Sequence, residues 1–397
     1  MALRAAGADL ALPEGFQYVV LSSTADATMP PAPDSMACIT APDGSVRLIR
    51  NHERSDAAGV AAPLDAATAY DAFAAGGTTT VVLAPDLRSV VRTHVSLSGT
   101  VQNCSGGLTP SGTWLSCEET NEGVEAGRSQ PHGYVFEVDP RADGPLALPP
   151  LTALGRFLHE AVAVDPATGT LYLTEDNGYD SGLYRFTPSA PGRLAEGGVL
   201  EMLAVVDQPG YDTAFGQTVD KRLAATWVVI PDPDPSSAGT DSSAVFNQGF
   251  DAGAARFKRL EGCCLVGSTF YVSATEGGDA GLGQVWALDL ARSDLGLIYE
   301  PAIPEELFGP DNLAPAPWGD GVLICEDNGN GDPNRLQVLG PDGRLVTFAK
   351  NIADVTEFAG ACMSPDGSTL FVNIYGDEVA GVPGRTVAIW GPWDALA

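Results

Sequence analysis

The chain has 397 residues, of which 51 are acidic and 21 basic, for a formal charge of −30. Such a surface repels nucleic acid and anionic lipid, so neither is an expected partner. Apolar residues make up 44% and charged residues 18%, with 46 glycines and 30 prolines, which favours an all-β fold of many short strands joined by turns.

No stretch approaches the ~20 apolar residues of a membrane span. The opening "MALRAAGADLALPEGF" lacks the apolar core of an export signal. In chain order, "GFQYVVLSS" reads as an outer strand that closes the last sheet. Then a unit recurs: an acid or amide, an apolar strand, a turn, a second strand ending in an acid, a Gly-rich loop and a third strand. The first copy is "DSMACITAPDGSVRLIRNHE" from Asp34, followed by "TTTVVLAPD". Before that third strand, "AATAYDAFAAG" suggests a short helix. "NCSGGLTPSGTWLSCEE" starts at Asn103 and "EAVAVDPATGTLYLTED" at Glu160, with "GYVFEVD" and "GLYRFTP" after them. "EGCCLVGSTFYVSATEGG" starts at Glu261 and "DNLAPAPWGDGVLICEDNG" at Asp311, with "GQVWALDL" and "NRLQVLG" after them. "EFAGACMSPDGSTLFVNIYG" starts at Glu357, with "RTVAIWG" after it.

The marked residues keep their distance. Asn103–Glu118, Glu160–Glu175, Glu261–Glu276 and Asp311–Glu326 are each 15 apart, Glu357–Asn373 is 16, and Asp34–Glu53 is 19. A hairpin returns its end to the level of its start, since strands of about five residues run only ~17 Å each way. Both marks of a unit then lie on one face. Six such sheets set radially make a six-bladed β-propeller, with the marks around one mouth of its channel. The expected organisation is one domain, 1–397, with insertions at about 54–76 and 197–258 over one face.

Glu53, Glu118, Glu119, Glu160, Glu175, Glu261, Glu276, Asp311, Glu326 and Glu357 would crowd that mouth. Two like charges ~4 Å apart cost about 4 kcal/mol at an effective dielectric of 20. Bound cations are the simplest relief, and oxygen ligands suit Ca²⁺, Mg²⁺ or Mn²⁺. Cys117 beside these acids suggests a transition metal as well. With only four histidines, a His-rich zinc site is disfavoured, and iron fits. Arg156 and Arg259 precede opening glutamates, and a guanidinium beside metals can clamp phosphate or carboxylate. Taken singly, Glu175, Glu276 and Glu326 read equally well as loop caps. Cys38, Cys263, Cys264, Cys325 and Cys362 lie within strand patterns and read as core. GxSxG, P-loop and HExxH motifs are absent.

The segments "RNHE", "NCSGGLTPSGTWLSCEE", "GRFLHEAVAVDPATGTLYLTED", "KRLEG", "GVLICEDNG" and "EFAGACMSPDGSTLFVNI" resemble the PhoX-type alkaline phosphatases of the wider DUF839 group, from about residue 15 to 392. The resemblance implies a six-bladed propeller that hydrolyses phosphate monoesters with an iron–calcium cluster (Fe³⁺, Ca²⁺) and a metal-activated oxygen nucleophile. It makes Cys117 the thiolate ligand of iron, with Glu160 and Glu261 also on the metals. Glu53, Glu118, Glu326 and Glu357 become further ligand candidates. Arg259 becomes the phosphate clamp, with Arg156 and Asn103 as further substrate-binding candidates. The family often reads Arg-Pro-Glu where this chain has Arg259-Leu260-Glu261. A monomer acting on a small phosphorylated substrate is expected. Its family suggests a periplasmic or secreted location, while the absence of a legible leader leaves the cytoplasm open. A phosphodiesterase, phytase or lactonase on the same scaffold, or a metal-stabilised binding propeller without catalysis, are the alternatives.

Overall fold

The computed structural model describes residues 1–56 and 62–396. Short antiparallel strands dominate, and the one α-helix among the described residues is α1, Ala244–Asp251. Six strands form the inner wall: β1 (Pro33–Thr40), β2 (Asn103–Leu108), β3 (His159–Val164), β4 (Leu260–Val266), β5 (Pro310–Pro315) and β6 (Phe358–Met363). Each packs against the next, and β6 packs against β1, so the wall closes on itself around an axis. A second strand returns antiparallel behind each inner strand, in the hairpins that the spacing predicts.

The sequence predicts six separate sheets, whereas hydrogen bonding makes five, in a propeller-like arrangement. The meanders that begin with β3 and β4 share one nine-stranded sheet. Arg222–Val229 joins them, pairing with Gly198–Val205 on one side and Asp294–Tyr299 on the other. It thereby covers two strand edges that would otherwise offer unpaired backbone groups. Two strands of the predicted insertion 197–258, Gly198–Val205 and Arg222–Val229, therefore belong to the sheet, and the segment also carries α1. Of the other predicted insertion, 54–76, residues 57–61 lie outside the described residues.

The helix suggested at 66–76 is replaced by turns. Its donors have other partners: Asp65 Oδ1 accepts from the amides of Ala67 and Thr68, and Asp71 Oδ1 from that of Phe73. The Tyr70 and Asp71 amides donate to Ser98 and Gly99 carbonyls on the neighbouring strand. These local acceptors compete with helical bonds. Gln17–Ser23 pairs with Arg385–Trp390 in the sheet of β6, as the N-terminal run predicts. Leu10–Pro13 joins the sheet of β5 through Leu10 opposite Asn351.

Core residues fill the wedges between neighbouring sheets. Phe157, Tyr184 and Phe186 fill one wedge, Phe257, Phe270 and Trp286 another, and Phe348, Phe358 and Leu370 a third, all of them buried.

All six inner strands carry the same irregularity near their start. Pairing slips by one residue between Pro33 and Met36, Asn103 and Gly106, His159 and Val162, Leu260 and Cys263, Pro310 and Leu313, and Ala359 and Cys362. Each slip is a β-bulge, which bends the strand and re-aims the side chains beside it. The residue after the first member of each slip is in turn Asp34, Cys104, Glu160, Glu261, Asp311 and Gly360.

Candidate active site

The bulges aim their side chains into a cleft of about 500 Å³ at one end of the ring. Asp34, Cys104, Glu160, Glu261 and Asp311 line it, and Glu357 enters from just ahead of β6. From the ends of the returning strands come Glu53, Glu119, Asp327 and Tyr375. Arg259 is the one basic side chain among the described residues of this lining.

Crowded, partly desolvated carboxylates resist ionisation. Burial, then the neighbouring Glu119, Asp311 and Asp34, holds Glu160 well above the usual carboxylate range. Burial and Asp176 do the same to Glu261, and burial and Glu53 to Glu119. Asp311 is pushed up to about 8 by burial and by Asp327. Asp34 Oδ1 is buried without a hydrogen-bond partner.

Two donor sets converge. Ligand atoms of Cys104, Glu119 and Glu160 lie within 4.8 Å of one another, as do those of Glu160, Glu261 and Asp311. A thiol with two carboxylates suits a transition metal such as iron, and an all-oxygen set suits calcium. The residues thus fit a mixed iron–calcium cluster in donor chemistry, and bound cations would relieve the stacked negative charge.

Arg259 lines the same cleft with a left-handed backbone, φ 50°, a strained conformation for a non-glycine residue. Two backbone bonds pin it: its amide donates to Gly178 O at 2.8 Å and its carbonyl accepts from the Thr275 amide at 2.9 Å. The guanidinium Nε donates to Asp176 Oδ1 and Oδ2 at 3.2 and 3.1 Å. Its Nη2 donates to Asp176 Oδ2 and Glu261 Oε1, both at 2.8 Å.

Of the residues singled out in the sequence, Glu53, Glu119, Glu160, Glu261, Asp311, Glu357 and Arg259 meet in the cleft. Cys117 is placed elsewhere: fully buried, in the apolar cluster that holds Val135, Phe157 and Leu173. The thiol at the cleft is Cys104. Glu118 turns into its own sheet, accepting from the amides of Val101 (2.9 Å), Gly133 (2.9 Å) and Tyr134 (3.2 Å). Glu326 is held by Arg335 Nε at 2.7 Å and Gln337 Nε2 at 3.0 Å. Glu175 accepts from the Tyr184 hydroxyl at 2.6 Å, and Glu276 is half exposed. Arg156 spends its donors on the His132, Asn121 and Glu122 carbonyls. Asn103 bonds Ser116 and Thr100, away from the cleft. These seven departures from the predicted site leave the cleft to the residue one place further on at three positions in two units: Cys104 and Glu119 in one, Asp327 in the other.

The chain matches the profile of the family described as alkaline phosphatase PhoX over residues 84–377. No curated protein matches it in sequence. Among solved structures it resembles Pseudomonas fluorescens PhoX in complex with vanadate, a transition-state analogue, with a TM-score of 0.72 and 17% identity over 98% of this chain and 97% of that one. That identity speaks for a shared fold alone. A gluconolactonase from Xanthomonas campestris, XC5397, aligns over 99% of this chain and 100% of that one, with a TM-score of 0.46 and 13% identity, too distant a likeness to bear on function.

Proposed function

The chain belongs to the alkaline phosphatase PhoX family and is a phosphoric monoester hydrolase, and from that premise we propose that it cleaves small phosphate monoesters at the bulge-lined cleft, with an iron–calcium cluster and Arg259 as its working parts. In this reading the nine-stranded sheet counts as two blades of a six-bladed propeller. The observation that carries the proposal is the convergence of Cys104, Glu119, Glu160, Glu261 and Asp311 in a cleft that Arg259 also lines, with its guanidinium bonded to Glu261.

Cys104, Glu119 and Glu160 would hold the softer metal, and Glu160, Glu261 and Asp311 a calcium ion, with Glu160 shared between them. When bound, such ions neutralise phosphoryl charge and acidify a water molecule. The chain's own residues do the rest. Arg259 binds and orients the phosphoryl group through charge-assisted hydrogen bonds, whose strength grows where water is excluded. Tyr375, whose hydroxyl donates to Glu53 Oε2 at 2.6 Å, fixes that carboxylate at the cleft wall. Crowded acids that are costly when empty favour tight metal uptake, since charge relief adds to ligation.

Hydrolysis of p-nitrophenyl phosphate tests the proposal. Turnover is expected, with loss on chelation and in Arg259→Ala and Cys104→Ala. Undiminished turnover in all three preparations would sink it. A panel including phosphodiesters, phytate and lactones separates the other hydrolases of this scaffold. Elemental analysis of the purified protein is expected to find iron together with calcium.

A further inference from the structure

We propose that Asp176 is a positioning residue for Arg259: it holds one edge of the guanidinium so that the other edge meets the phosphoryl group. The inference rests on the reading of Arg259 as the phosphate clamp and adds the part that aims it.

A guanidinium has five donors in a fixed fork, so anchoring some of them directs the rest. Both Asp176 oxygens lie within 3.2 Å of Nε, and Oδ2 also takes Nη2 at 2.8 Å. Among the described residues, the Nη1 end meets only the carboxylate of half-exposed Glu276, at 3.6 Å. That end is the one available to a phosphate. Asp176 is itself fixed. Its side chain is 4% exposed, and its amide donates to Leu158 O at 3.1 Å. It stands just beyond Leu171–Glu175, in the meander of β3, while Arg259 leads into β4. Two residues on, Gly178 O receives the Arg259 amide. One short turn thus fixes both the backbone and the side chain of a residue in a strained conformation, which persists only when its surroundings over-determine it.

Glu261 also touches Nη2, yet its carboxylate converges with Glu160 and Asp311. A cation drawn to that set competes for Glu261. Asp176 lies outside both converging sets and keeps the guanidinium in place when Glu261 is engaged. Without Asp176, the freed fork would turn toward Glu261 and Glu276 and lose its aim.

The experiment compares metal-loaded wild type with Asp176→Ala, Asp176→Asn, Arg259→Ala and the Asp176→Ala/Arg259→Ala double variant. It reads the calorimetric Kd for inorganic phosphate, KM and kcat for p-nitrophenyl phosphate, and metal content. Asp176→Ala is expected to raise phosphate Kd and KM about tenfold, with metal content unchanged and kcat affected less. Asp176→Asn, which keeps one oxygen acceptor, is expected to recover part of the loss and also serves if the alanine variant fails to fold. In the Arg259→Ala background, Asp176→Ala is expected to add nothing. Unchanged phosphate affinity in the Asp176 variants, an additive loss in the double variant, or loss of metal on substitution would each overturn the proposal. If Arg259→Ala itself keeps wild-type phosphate affinity, the clamp reading fails instead, and the two failures are distinguishable.

Discussion

The Cys104 thiol donates to the backbone carbonyl of His159 at 3.3 Å, tying the start of β2 to the start of β3 at the rim of the cleft. Cys117, on the returning strand at the same end of that hairpin, is packed among apolar side chains. The two thiols should therefore respond differently to removal. Cys104→Ala is expected to lose iron and most phosphatase activity. Cys117→Ala is expected to keep both and to lose roughly 1 kcal/mol of stability, as a small buried truncation does. Elemental analysis and urea denaturation of both variants check this.

Adjacent glutamates make a second contrast. Glu118 satisfies three buried amides, whereas Glu119 belongs to the thiol-containing donor set. Glu118→Ala is expected to cost roughly 3–5 kcal/mol, as removing a buried charged partner does. Glu119→Gln is expected to fold normally and bind less metal. Thermal melts alongside metal analysis separate the two.

Glu175 offers a pH test away from the donor sets. Burial raises its pKa from 4.5 to about 8, despite hydrogen bonds from Tyr184 and Gly182. A carboxyl whose folded pKa is raised binds more protons folded than unfolded, so stability falls as pH rises between those values. Its favourable contribution is whole below about pH 4.5 and gone above about pH 8. Glu175→Gln is expected to be relatively more stable at pH 9 than at pH 5, by at most about 1.4 kcal/mol for each pKa unit removed. A flat difference between wild type and variant across that range would contradict the assignment.

Metal removal should cost fold stability as well as turnover. A ligand at 100 times its Kd stabilises the state that binds it by about 2.7 kcal/mol. Stripped protein is expected to melt at a lower temperature, with calcium restoring part of the difference. The deficit is expected to grow with pH, because Asp311, raised from 3.8 to about 8 by burial and Asp327, must then ionise without a counter-charge. Calorimetry of stripped and reloaded protein at pH 5 and pH 8 checks this.

The hairpins, the closing strand at Gln17–Ser23 and the gathering of acids at one mouth were legible from spacing and alternation alone. The identity of the facing residue was less so, and the bulges explain why. An extra residue in a strand inverts the inside–outside parity from that point on, and nothing in "NCSGG" marks where the inversion falls. Asn103 and Glu118 carry the visible 15-residue spacing, while Cys104 and Glu119 do the facing. Glu175 and Glu326 likewise keep the spacing yet turn to Tyr184 and Arg335 within their own sheets. The strand at Arg222–Val229 was hidden for another reason: its role depends on pairing with residues some seventy positions later in the chain.

At the sixth bulge stands Gly360, with φ 62°. A Cβ there would lie 2.6 Å from both the Asp34 carbonyl oxygen and Ser35 Cα. The seat is shut by main chain and no rotamer can open it. Mutagenesis can thin the crown of donors one tooth at a time, but a new tooth cannot be set at that position without moving the first strand, so any redesign toward a larger metal complement has to begin from Glu357 or from the opposite rim.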